Sequence, residues 1–142
     1  MRYKRIPGTD LSVSCISLGT WVFGGDESWG YSDENDCINV TLKAIDLGIN
    51  LIDTAPIYGF GRAEEIVGKA IKGKRDKVII ATKCGLIKED KDIKTSLKPA
   101  SIEREIEESL CRLNVAYIDL YQIHWPDLDT PIEETLTTML KL

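Results

Sequence analysis

Leu51-Ile52-Asp53-Thr54-Ala55-Pro56-Ile57-Tyr58-Gly59 is the stretch of sequence that decides the fold. Two apolar residues end in the carboxylate of Asp53, and a proline and a glycine then turn the chain. The phenol of Tyr58 follows five residues after the acid. This pattern is typical of a strand that ends in a loop, and it places two groups able to handle protons where the strand stops.

Two later apolar runs also end in an ionisable side chain. Residues 78–82 are followed by Lys83, and residues 118–123 are followed by His124, the only histidine of the chain. Taken singly, each of these residues also suits an ordinary structural position. In a parallel sheet, however, the ends of neighbouring strands meet at one edge, so Asp53, Lys83 and His124 are expected to share a pocket with Tyr58 above it.

The first half of the chain alternates between predicted strands and helices. Pro7 to Asp10 predicts the turn of a hairpin, and residues 16–21 predict a first core strand. Ser32 is the predicted cap of a helix that Gly48 ends. Residues 50–53 form the second predicted strand, and a second helix is expected from about Arg62 to Gly73.

The second half continues the alternation. Residues 78–83 predict a strand covered on both faces, and residues 84–98 predict a long charged loop. Pro99 suits the first turn of a helix that Asn114 closes, with its glutamates, Glu105 included, mostly on a solvated face. Residues 117–124 predict a fourth strand, and residues 130–133 predict a capping box that opens a fourth helix.

Strands that alternate with helices predict a parallel α/β sheet. No Gly-x-Gly-x-x-Gly pattern follows the first strand, which disfavours a Rossmann unit. The other common answer is a (β/α)8 TIM barrel, whose active site lies at the carboxyl ends of its strands. Since a complete barrel takes roughly 200 residues or more, residues 1–142 are expected to form one domain, the first half of a barrel cut short after the fourth helix begins.

Composition narrows the choice of partner and compartment. A hydrophobic content of 43% with 29% charged residues is ordinary for a globular protein, and a net charge of -5 argues against nucleic acid or an anionic membrane as partner. No apolar run approaches the roughly 20 residues of a membrane span, and no signal peptide is visible, so a cytoplasmic protein is expected. The four cysteines show no metal-binding spacing. Cys84 is expected to be buried, although the adjacent Lys83 could activate its thiol.

The grouped residues suit the protonation of an oxyanion. A phenol ordinarily has a pKa near 10, and a neighbouring ammonium lowers it. Asp53 would hold Lys83 charged, and His124 could polarise a carbonyl oxygen. No group here supplies a hydride, so a hydride-carrying cofactor is implied. A Schiff base on Lys83, as in an aldolase-like barrel, is the alternative chemistry.

Residues 53–68 resemble the signature of the aldo-keto reductase family, in the form of its bacterial and channel-β-subunit-like branch. Gly19-Thr20-Trp21, Thr82-Lys83 and residues 117–124 resemble other strand-end motifs of the family. The resemblance implies reduction of aldehydes and ketones with NADPH, with Tyr58 as general acid, tuned by Lys83 and Asp53, and with His124 orienting the carbonyl. It also implies two binding sets: Gly19, Thr20, Trp21 and Asp53 at the nicotinamide, and Trp29, Tyr31 and Trp125 as substrate-pocket walls.

A half-barrel would leave sheet edges unpaired, so self-association through the open side is expected. The competing hypotheses are a catalytically inactive truncated reductase fragment and an interaction or scaffold module.

Overall fold

The computed structural model describes residues 1–25, 30–89 and 92–142. In chain order, these residues form the strands and helices β1 (Tyr3–Arg5), β2 (Ser12–Ser14), β3 (Ser17–Gly19), α1 (Glu34–Asp46), β4 (Leu51–Asp53), α2 (Arg62–Ala70), β5 (Ile79–Cys84), β6 (Leu86–Glu89), β7 (Asp92–Thr95), α3 (Pro99–Leu113), β8 (Leu120–Ile123) and α4 (Ile132–Met139).

Four of the strands form one parallel sheet in the order β3-β4-β5-β8. Gly19 lies beside Asp53, Asp53 beside Ala81, and Lys83 beside Gln122. The order of these strands across the sheet is the same as their order along the chain. In a Rossmann sheet, by contrast, the strand order begins at the centre, runs to one edge and then returns to continue on the other side. The prediction of a parallel α/β fold, consistent with part of a TIM barrel, is confirmed.

The main core lies between the sheet and the helices. Ile52 and Ile80 pack against a layer made by α2 and the end of α3, in which Ile66 and Val67 are fully buried. All six residues of β5 are buried, as expected for a strand covered on both faces. The predicted second helix is therefore confirmed, and it covers one face of the sheet.

Two hairpins flank the sheet. β1 and β2 pair antiparallel around the predicted turn, which confirms the first. The prediction of a loop over residues 84–98 is wrong, because β6 and β7 also pair antiparallel, with Ile87 beside Lys94 and Lys88 beside Ile93. The ammonium of Lys94 forms an ion pair with Glu89 across the two strands. Charges of opposite sign on facing strands attract, so a high charge density does not prevent strand pairing here.

Two predicted helix caps are wrong in detail. The cap of α1 is Asp33, whose carboxylate accepts hydrogen bonds from the backbone N–H groups of Asn35 and Asp36. Ser32 instead donates its hydroxyl to the carbonyl oxygen of Val22. Thr130 makes no capping bond at α4, and its hydroxyl donates to Asp127 at 2.7 Å. In both cases the hydroxyl that the local pattern assigned to the helix donates to an oxygen outside that helix.

None of the helices among the described residues combines the length and apolar character that crossing a membrane requires.

Shortening Ile66 to alanine is expected to destabilise the fold, because its side chain is fully buried between α2 and the sheet. We expect the free energy of unfolding to fall by about 2–5 kcal/mol for Ile66→Ala. Ile93→Ala is the matched control, since Ile93 is 55% exposed. Urea denaturation followed by circular dichroism measures both, and equal losses in the two variants would contradict the assigned core.

Candidate active site

Three strand ends and one turn bring the predicted residues together. Asp53 is the last residue of β4, Lys83 lies one residue before the end of β5, and His124 directly follows β8. Tyr58 lies in the turn between β4 and α2, where its N–H donates to the carbonyl oxygen of Ala55 and its own carbonyl accepts from Ala63. The expected grouping at the carboxyl edge of the sheet is observed.

Lys83 is at the centre of this group. Its ammonium donates to both carboxylate oxygens of Asp53, at 2.9 and 3.0 Å, and to the carbonyl oxygen of Thr54 at 2.8 Å. It also donates to the phenol oxygen of Tyr58 at 3.2 Å. Since Lys83 is only 8% exposed, these oxygens replace the water that its charge would otherwise bind.

Tyr58 is held between two rings. The ring of Trp21 stacks on it with a centroid distance of 6.2 Å and an interplanar angle of 22°. The imidazole of His124 meets it edge to face, with a centroid distance of 5.7 Å. The phenol is therefore fixed in position by Lys83 at its oxygen and by Trp21 and His124 at its ring.

The imidazole of His124 is partly buried and lies near the positive charge of Lys83. Burial lowers its pKa below the ordinary value of 6.5, and the positive charge of Lys83 lowers it further, while Asp53 acts in the opposite direction. These influences favour the neutral imidazole near pH 7, a form that can still donate one ring N–H.

A second charged group supports Lys83 from the helix side of the sheet. The fully buried carboxylate of Glu64 accepts the hydroxyl of Thr82 at 2.6 Å and the Nε–H of Arg112 at 2.6 Å. Thr82 directly precedes Lys83, so this contact fixes the strand on the face opposite the site. Sequence analysis did not single out Glu64 or Arg112, because 48 residues separate the two partners.

The residue after Lys83 is not activated. Burial raises the pKa of Cys84 to about 11, and the charge of Glu105 adds to the increase. The prediction that Glu105 belongs to a solvated face is wrong: it is 4% exposed and accepts hydrogen bonds from the N–H of Gly85 and the hydroxyl of Ser101. Burial raises the pKa of Glu105 as well. Cys84 is thus a buried structural thiol.

The predicted nicotinamide set lies at the end of β3. Thr20 is buried and donates both its N–H and its hydroxyl to the carbonyl oxygen of Asp53, each at 3.0 Å. A Cβ added at Gly19 would meet no atom within 4 Å, so open space lies beside this strand end. Trp21, two residues after Gly19, stacks on Tyr58.

The described residues predicted to form the walls of the substrate pocket are more exposed than the group around Lys83. Tyr31 is 82% exposed, and the guanidinium of Arg62 lies 4.9 Å from its ring centroid. Trp125 follows His124 and is 59% exposed. Trp29 lies outside the described residues. The described part of the chain contains no group of three His, Cys, Asp or Glu residues that could hold a metal ion.

Comparison with known proteins agrees with this geometry. A family model described as the aldo/keto reductase family matches residues 15–142. An aldo-keto reductase, YhdN of Bacillus subtilis, is 52% identical over all of this chain and 43% of its own length. An NADH-specific methylglyoxal reductase of Escherichia coli is 43% identical, over 98% of this chain and 48% of its own length.

A solved structure gives the same answer for the fold. The holo form of the aldo-keto reductase AKR11C1 from Bacillus halodurans superimposes with a TM-score of 0.89 and 35% identity. The match covers 100% of this chain and 46% of that one. The chain therefore spans about half the length of the relatives it matches, and the resemblance seen in its motifs is confirmed.

Lys83→Met is expected to raise the pKa of His124, because the variant removes a positive charge and leaves Asp53 unneutralised. A proton NMR titration follows this directly, since the chain has no other histidine. Lys69→Met is the control, because Lys69 lies exposed on α2. An unchanged His124 pKa in Lys83→Met would contradict the described electrostatics.

The same lowered pKa fixes the direction of a stability change. Because the folded-state value lies below the ordinary one, protonation of His124 favours the unfolded chain. The free energy of unfolding should therefore fall as the pH is lowered through and below about 6.5, and His124→Gln should reduce this loss.

Proposed function

The chain belongs to the aldo-keto reductase family, and on that premise we propose that it takes part in the NADPH-dependent reduction of small aldehydes and ketones to alcohols, with Tyr58 as the general acid. The observation that carries the proposal is the contact between the Lys83 ammonium and the phenol oxygen of Tyr58, at 3.2 Å. Because Lys83 donates in this bond, the phenol proton remains available for a substrate.

The charge of Lys83 supports the transfer of that proton. An oxyanion that forms at a carbonyl carbon must be protonated, and the phenolate left on Tyr58 would lie beside the ammonium. Asp53 holds Lys83 from the other side through both carboxylate oxygens. We assign Asp53 and Lys83 to the stabilisation of the phenolate rather than to contact with the substrate.

His124 completes the proposed site as a hydrogen-bond donor to the carbonyl oxygen. Its lowered pKa keeps the ring neutral, so a donated N–H polarises the carbonyl without competing with Tyr58 to supply a full proton. Its edge-to-face contact with Tyr58 sets the two donors beside each other. A substrate carbonyl oxygen at this end of the sheet would accept hydrogen bonds from both His124 and Tyr58.

The nicotinamide end of a cofactor fits the end of β3. Open space borders Gly19, and the next residue, Thr20, donates its N–H and its hydroxyl to the carbonyl oxygen of Asp53. We assign Gly19, Thr20, Trp21 and Asp53 to this end of the cofactor, which supplies the hydride when bound. NADPH is the proposed form. The Escherichia coli relative is NADH-specific, so the experiment below compares both.

Two other hypotheses are weighed against this one. A Schiff base on Lys83 requires a neutral amine, whereas this ammonium donates to four oxygen atoms of which two belong to a carboxylate. The chain spans 43% and 48% of two relatives, so a silent interaction module that retains these residues is the second candidate. Turnover separates that candidate from the enzyme.

Tyr58→Phe is expected to lower the rate of aldehyde reduction by roughly 10²–10⁴-fold, because it removes the proton donor and leaves the ring in place. NADPH oxidation at 340 nm with a simple aldehyde measures the rate. Tyr117→Phe is the matched control, because Tyr117 stacks on Arg75 and lies outside the site. Equal rates in wild type and Tyr58→Phe would overturn the role of Tyr58, and no turnover in the wild type would favour the silent module.

Calorimetric titration of the chain with NADPH and with NADH tests the cofactor directly. We expect saturable binding of NADPH and a weaker response to NADH. Substitution Gly19→Val fills the open space beside β3 and should reduce binding, whereas Ser12→Val, at an exposed position of β2, should not. Binding that is unaffected by Gly19→Val would remove this position from the proposed site.

A further inference from the structure

Arg62, the first residue of α2, joins the two described flanks of the segment that follows β3. One terminal nitrogen of its guanidinium donates to the carbonyl oxygen of Phe23, and the other donates to the carbonyl oxygen of Ser32 at 2.7 Å. Phe23 and Ser32 lie nine positions apart in the sequence. A single planar side chain therefore holds both flanks against the helix.

Two further contacts join the same flanks. The guanidinium of Arg62 lies over the ring of Tyr31, 4.9 Å from its centroid. The hydroxyl of Ser32 donates to the carbonyl oxygen of Val22 at 2.9 Å. Among the described residues, the carbonyl oxygens of Phe23 and Ser32 thus share one donor side chain, which comes from α2.

The first flank also lies directly on the Tyr58 turn. A Cβ added at Gly24 would lie 2.5 Å from the backbone nitrogen of Gly59, and a Cβ added at Gly59 would collide with the backbone of Gly24. The two backbones therefore approach more closely than any side chain permits. Because Trp21 precedes Gly24 by three residues and stacks on Tyr58, its position depends on this contact.

We propose that Arg62 is a positioning residue, which fixes the flanks of the segment after β3 and thereby holds Trp21 against Tyr58. The two carbonyls require two donors of fixed geometry, which a guanidinium supplies and an ammonium does not. Through Trp21, Arg62 also determines how closely a carbonyl compound can approach Tyr58. This last consequence rests on the proposed function, whereas the positioning itself does not.

Acrylamide quenching of Trp21 fluorescence tests the positioning without any need for turnover. Trp29→Phe and Trp125→Phe are introduced together, so that Trp21 is the only tryptophan of the full chain. In this background we expect Arg62→Gln to raise the quenching constant about twofold, because the flank is released from α2. Gly24→Ala should give a similar increase, because its Cβ forces the flank away from Gly59.

Lys69→Gln is the matched control. Lys69 lies on the same helix, its side chain is 51% exposed, and it pairs with Glu34, the first residue of α1, at 2.7 Å. If Arg62→Gln fails to fold by circular dichroism, Arg62→Lys replaces it and should give an increase in the same direction. Quenching in the Arg62 variants equal to that in Lys69→Gln would overturn the proposal.

Steady-state kinetics of the chain with all three tryptophans test the same proposal independently. Arg62→Gln should raise KM for a bulky aldehyde severalfold while kcat changes less, because Tyr58, Lys83 and His124 remain in place. A loss confined to kcat would contradict a positioning role. If the wild type shows no turnover at all, the proposed function fails, and the quenching result alone decides the role of Arg62.

Discussion

The ion pair between Lys83 and Asp53 is the interaction on which the rest of the site depends. An ammonium that is only 8% exposed loses most of its hydration, and it stays charged only if oxygen atoms replace the lost water. Both oxygens of Asp53 and the carbonyl of Thr54 fulfil that need at 2.8 to 3.0 Å. The phenol of Tyr58 then meets a cation whose position is fixed on three sides.

This ion pair exists because of the register of two parallel strands. Asp53 lies beside Ala81, two residues before Lys83, and side chains two apart on a strand point to the same face. The residue between them, Thr82, points to the opposite face and donates to Glu64. A carboxylate buried at Glu64 requires its own partner, and Arg112 of α3 supplies it. The strand that presents Lys83 is thus anchored on both of its faces.

The residues at the strand ends could be predicted from sequence because each strand carries its own signal. An apolar run followed by a polar side chain indicates where a strand stops, and parallel pairing brings such ends together. The errors share another cause. Asp33 rather than Ser32 caps α1, Asp127 takes the hydroxyl of Thr130, and Glu105 is buried by a bond to Gly85. Each outcome depended on a choice between similar neighbouring side chains or on a partner from elsewhere in the chain. A local sequence pattern contains no information about either.

In the proposed site, the residues assigned to proton transfer all lie among the described residues, whereas only the nicotinamide end of a cofactor has residues assigned to it. Among the described residues, the oxygens that the Lys83 ammonium contacts belong to residues 53–58, while the ring of Tyr58 is held by Trp21 after β3 and by His124 after β8. The end of β3, in contrast, leaves open space beside Gly19, and the neighbouring Asp53 is already paired with the cation Lys83. A negatively charged cofactor would gain little attraction from that pair, since its two charges largely cancel at a distance. Affinity for a cofactor and the chemistry of proton transfer are therefore separable properties of this fold: binding alone would not establish that Tyr58 donates a proton, and an intact Tyr58 site would not by itself confer binding.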